Sequence, residues 1–108
     1  HAKLVMDRFH IVKHLIRSFE DIRLRVMKSF DRNDPIQAKY YRQVKALSRL
    51  LIKRQDTLVY DKWTKWRNFS WAYLTESEVA ERLLSTSDEL RIAYKLFMKK
   101  RRTTSFSL

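Results

Sequence analysis

Between Phe9 and Phe30 the apolar positions are Phe9, Val12, Leu15, Ile16, Phe19, Ile22, Val26, Met27 and Phe30. Steps of three and four place them on one stripe of a helix, predicted over 8–30. The opposite face carries His10, Lys13, His14, Arg17, Asp21 and Lys28. Arg23 falls inside the apolar arc and Leu24 outside it, which the periodicity alone does not explain. Ahead of this helix, Lys3-Leu4-Val5-Met6 predicts the end of a short N-terminal strand, 3–7.

Asp31-Arg32-Asn33-Asp34-Pro35 is a breaker, and Asp34 before Pro35 suits a cap with proline at the first helical position. A second helix is predicted over 37–54, with Tyr40, Tyr41, Val44, Leu47 and Leu51 on its apolar side. Its other side carries Arg42, Lys45, Arg49 and Lys53, a basic ridge roughly 16 Å long at the helical rise per residue. In 56–74, Trp63, Trp66, Phe69, Trp71 and Tyr73 follow no clean period. They are read as a short helix over 60–66 followed by an extended stretch. The aromatics fit a core plug between helices better than the other reading, a platform for stacking bases. Thr75 and Glu78 match a capping box, with Leu74 and Val79 placed as a hydrophobic staple, so a helix is predicted over 75–85. Ser87 caps a last helix, 88–102, with Asp88 and Glu89 in its first turn and Lys99, Lys100, Arg101 and Arg102 at its end, as the helix dipole favours. The tail from Thr103 is expected to fray. The resulting class is all-α, one domain of four or five helices with one short N-terminal strand.

Composition sharpens this picture. The 108 residues include no Gly and one Pro, which argues against multi-stranded β folds and excludes Gly-rich phosphate loops. Cysteine is absent, so there is no disulfide or thiolate metal site, in keeping with a reducing, cytoplasmic compartment. No apolar run is long enough to span a membrane. The 24 Lys and Arg against 12 Asp and Glu leave a formal charge of +12, whose simplest physical reason is a polyanionic partner.

Candidate chemistry is sparse. Asp7, His10 and His14 share one helix face, but two imidazoles four apart without an intervening Glu are a weak metal signal, and no metal site is assigned. No Ser-His-Asp arrangement is credible with His1, His10 and His14 as the only histidines. Glu76, Glu78, Glu81, Asp88 and Glu89 read as caps and solvated faces. The better candidates are cations that follow a phosphate backbone: Lys13, Arg17, Arg42, Lys45, Arg49 and Lys53.

Asp7-Arg8-Phe9-His10-Ile11-Val12-Lys13-His14 resembles the Asp-Arg-Phe-His-x-x-Lys-His segment of the ISL-three family of bacterial insertion-sequence transposases. Tyr41-Arg42, Lys45 and Leu50-Leu51-Ile52-Lys53 resemble its Tyr-Arg-x-x-Lys stretch ending in Leu-Leu-Leu-Lys. Ser87-Asp88-Glu89-Leu90 with Ala93-Tyr94 and Leu96 resembles its Pro-Glu-Leu-x-x-Ala-Tyr-x-Leu segment. The resemblance implies an RNase H-like catalytic region in the parent protein, where two Asp and one Glu hold two divalent metals, usually Mg²⁺, for DNA cleavage and strand transfer. In the family pattern the Asp pair lies upstream of this stretch, and the Glu lies downstream in a Glu-Gly-x-Asn context. This segment is therefore expected to be an internal piece, inactive by itself. Asp7 and His10 match the family's Asp-x-x-His signature, near the active site and distinct from the metal ligands. The expected partners are DNA, through backbone contacts, and the remainder of the transposase chain. A free strand edge at 3–6 would in addition favour a homodimer. Two rivals remain: a stand-alone basic helical nucleic-acid-binding module, and a basic interaction module for an acidic protein or a membrane surface.

Overall fold

The computed structural model describes the backbone of residues 2–106 and the side chains of 10–102. Five helices run in the order α1 (Ala2–Ser29), α2 (Pro35–Ala46), α3 (Ser48–Ile52), α4 (Glu76–Leu84) and α5 (Asp88–Phe106). A single antiparallel hairpin, β1 (Thr64–Trp66) and β2 (Ala72–Leu74), lies between α3 and α4. The all-α class stands, with the small sheet in a different place from the one expected.

The stripe read from the sequence is the face by which α1 packs on α5. Phe19, 2% exposed, stacks on Phe97 with ring centroids 4.9 Å apart and meets Tyr94 edge-on at 6.2 Å. Arg25 near the end of α1 reaches Glu89 near the start of α5 at 2.7 Å, so the two helices run antiparallel. Arg23 fits within the apolar arc because it is neutralised there: its guanidinium pairs with Glu20 and lies against the Met27 sulfur at 2.9 Å. Val26, Met27, Val44, Leu51, Val79 and Leu83 continue the same core into the other helices.

Local signals set several boundaries. Asp34 accepts from the Ile36 N–H at 3.0 Å and Pro35 opens α2. The Thr75 hydroxyl accepts from the Glu78 N–H at 3.1 Å, and the Glu78 carboxylate accepts from the Thr75 N–H at 2.9 Å. Leu74 and Val79, the two ends of the staple, are both buried. Ser87 accepts from the Leu90 N–H at 3.3 Å at the start of α5.

Four expectations are corrected. Residues 3–7 are helical and belong to α1. Each residue added to a helix gains a backbone bond, whereas a lone strand leaves its N–H and C=O groups unpaired. The strand edge that suggested a homodimer is therefore not formed. The predicted helix 37–54 breaks at Leu47, where φ −111° and ψ 23° end α2 and α3 starts in a new direction. The break lets both Leu50 and Leu51 be buried alongside Val44. The predicted short helix 60–66 is not formed: 60–63 is irregular and leads into β1. There Trp66 is half-buried while Lys65 is exposed, and on β2 Leu74 is buried while Tyr73 is exposed, the period of a strand. The tail expected to fray from Thr103 stays helical to Phe106; residues 107–108 lie outside the described residues.

Leu51→Ala should cost about 2–5 kcal/mol, because it empties a fully buried site. Ile92→Ala, at a position 67% exposed, should change stability by less than about 0.5 kcal/mol. Urea unfolding of the two variants reads the difference.

Candidate nucleic-acid interface

The outer side of α2 faces the hairpin loop across an open cleft of about 660 Å³. Its walls are Lys39, Arg42, Gln43 and Lys45 on α2 and Arg67, Asn68 and Ser70 on the loop, with Ala46 at its edge. Four cations line it and no carboxylate does. Among the described residues none of these four is ion-paired. A neighbouring depression of about 500 Å³ shares Lys39 and Gln43 and adds Arg82, again without an acid. Gathering like charges without counter-charges raises the local positive potential, and an anion relieves the repulsion.

Gln43 is the residue that assembles the cleft. It is 4% exposed, and its amide Nε2 donates to the Asn68 carbonyl at 2.8 Å. That bond and the buried Phe69 fix the turn Arg67–Phe69 against α2, so Arg67 stands opposite Arg42 and Lys45. Lys45 also lies over the Tyr41 ring, 5.9 Å from its centroid, and Arg32 lies 5.0 Å from the same centroid.

The structure brings only part of the predicted cation set together. Arg42 and Lys45 line the cleft. Arg49 is exposed on α3, beyond the break at Leu47. Lys53 ends α3, and its ammonium is held by Glu76 at 3.0 Å. Lys13 and Arg17 are exposed on α1, with Arg17 about 15 Å of helix before Met27, near where Phe30 meets Tyr40 of α2. Sequence reasoning missed Lys39 and Arg67. Lys39 sits three residues before Arg42, so its spacing was there to be read; Arg67 reaches the site through tertiary contacts alone.

In the first half of α1, His10 and His14 stand edge to face with their Nε2 atoms 3.0 Å apart. The side chain of Asp7 lies outside the described residues. Among the described residues no three His, Asp or Glu side chains converge as metal ligands would. Glu20 pairs with Arg23, Glu89 with Arg25 and Glu81 with Arg91. Glu78 closes the capping box, and Glu76 accepts from the Val59 N–H at 2.9 Å as well as from Lys53.

A family model described as Transposase, of the ISL-three type with DDE chemistry, matches residues 1–105. No curated protein and no solved structure matches the chain.

The Lys53–Glu76 pair carries a pH test. The Val59 N–H, and with it the Lys53 ammonium, holds the Glu76 carboxyl below its usual range against the opposing effect of burial. A depressed folded value contributes stability above the ordinary Glu pKa of ~4.3, and that contribution disappears as pH falls through the lowered value. Glu76→Gln keeps an amide oxygen for Val59 but loses the charge. It should be less stable than the parent at neutral pH, and the gap should close under acid. Urea melts of both proteins from neutral pH down to about pH 3 would read the gap.

Proposed function

The chain belongs to the ISL-three family of DDE transposases, and we propose that its own task in transposition is to hold the DNA backbone on a helical scaffold. The observation that carries this reading is the cleft between α2 and the hairpin loop, lined by Lys39, Arg42, Lys45 and Arg67 with no acid among them. Cations without an ion-pair partner neutralise phosphates and release the counterions condensed on DNA, which favours binding at low salt. Lysine supplies a mobile point charge, while the guanidinium of Arg42 or Arg67 offers a planar fork that grips two phosphate oxygens. Such contacts position a duplex without reading its sequence.

In this reading, strand cutting uses Mg²⁺ held by carboxylates in the remainder of the transposase, and the helical unit supplies grip and alignment. Lys13, Arg17 and Arg49 are secondary phosphate contacts. They lie outside the cleft, and an extended backbone would reach them in addition to it. Lys53 serves the fold, through Glu76, more than it serves DNA.

Fluorescence anisotropy of the 108-residue chain with a short labelled duplex, across a salt series, tests the assignment. Each neutralised phosphate contributes about 0.9 to the slope of log affinity against log salt. Replacing Lys39, Arg42, Lys45 and Arg67 together by Ala should reduce that slope by about 3–4. The double variant Lys13→Ala/Arg17→Ala should change it by about 2 or less. Equal loss from both variants would mean that the cleft is not the grip.

A further inference from the structure

We infer that the outward face of the hairpin stacks unpaired DNA bases, with the phosphates of the same strand seated in the cleft beside it. This rests on the reading of the cleft as a phosphate grip and specifies what lies next to it.

The hairpin has two unlike faces. Inward, Trp66 donates its indole N–H to the Leu74 carbonyl at 2.8 Å, and Leu74 and Phe69 are buried. Outward, Tyr73 is 64% exposed, and its cross-strand partner Lys65 holds its ammonium 5.5 Å from the ring centroid. Trp63, two residues before Lys65, is 58% exposed, and Trp71, two residues before Tyr73, is 61% exposed. Three large rings thus stay in solvent on one short hairpin whose inner face already has its apolar side chains. Exposed aromatic rings repeated along one short hairpin are a feature of binding surfaces.

The backbone at the tip supports the same reading. Ser70 and Trp71 both take positive φ, 57° and 63°. The left-handed region suits Gly and is costly for a bulky side chain. A tryptophan held there at the expense of stability, with its ring displayed, is how a binding site looks.

The surrounding charge selects the occupant. From Lys62 to Leu74 the chain carries Lys62, Lys65 and Arg67 and no acidic residue. Arg67, Asn68 and Ser70 are walls of the basic cleft, and Trp71 follows Ser70 directly, about 3.8 Å on at Cα. A strand whose phosphates lie in the cleft therefore brings its bases to the rings. Paired bases already stack on one another, so these ring faces are filled by bases that are single-stranded or swung out of a duplex. Lys65 over Tyr73 adds a cation beside the stack.

The test compares a labelled single-stranded oligothymidine with a duplex of equal length, both titrated with the full 108-residue chain at one salt concentration. Trp71→Gly should weaken the single strand about fivefold or more and leave the duplex within about twofold. Its melting temperature should hold or rise, because Gly relieves the positive φ. Trp71→Phe keeps a ring and should stay close to the parent on the single strand, whereas Trp71→Leu should resemble Gly. Equal affinity of all four proteins for the single strand overturns base stacking and leaves the phosphate grip standing. Parallel loss on both DNAs in the Gly and Leu variants also overturns it, since that pattern reports a displaced loop. If the unaltered chain binds neither DNA, the phosphate grip fails and the stacking inference fails with it.

Discussion

The antiparallel packing of α1 on α5 through Phe19, Tyr94 and Phe97 is the contact on which the rest of the fold depends. These two helices are the longest in the chain, and each buries one stripe against the other. Each large apolar side chain so buried contributes about 1.5–3 kcal/mol. The pair then offers a surface on which shorter elements settle: α2 meets the end of α1 where Phe30 lies 6.0 Å from Tyr40, and Arg101 of α5 donates to the Ile52 carbonyl at the end of α3. Those two attachments leave the Lys39–Arg42–Lys45 side of α2 facing outward.

Polar contacts then fix what packing alone would leave loose. Buried Gln43 secures the hairpin turn to α2 through the Asn68 carbonyl, and Glu76 secures the strand approach through the Val59 N–H. Both are bonds to backbone groups outside the α-helices and strands, the Asn68 carbonyl in the turn Arg67–Phe69 and the Val59 N–H before β1, where an unpaired group would be costly if buried. The cleft is a consequence of the first of these bonds. Its cations come from two elements that are adjacent in space and distant in sequence, and no carboxylate is among the described residues that line it.

Much of this was legible in the sequence. The α1 stripe, the Asp34–Pro35 start of α2, the Thr75–Glu78 capping box and the Ser87 cap are local signals that depend on neighbours within a turn, and they survive folding. The hairpin was not legible for an equally physical reason. A chain without glycine gives no turn signal, yet Ser70 and Trp71 make the turn by accepting positive φ themselves. The apparent core plug of aromatics proved divided: Trp66 and Phe69 face inward, whereas Trp63, Trp71 and Tyr73 face solvent. The basic ridge was half legible. Its spacing assumed one straight helix, and the break at Leu47 sends Arg49 and Lys53 elsewhere while Arg67 arrives from the hairpin.

The cleft between α2 and the hairpin loop is the proposed seat of DNA. Titrating the isotopically labelled chain with a short duplex, and following each backbone amide by NMR, tests this most directly. DNA seated there should give its largest shifts on 39–46 and 67–70, with little change along α4. Shifts concentrated on the exposed face of α5, or no shifts at low salt, would contradict it.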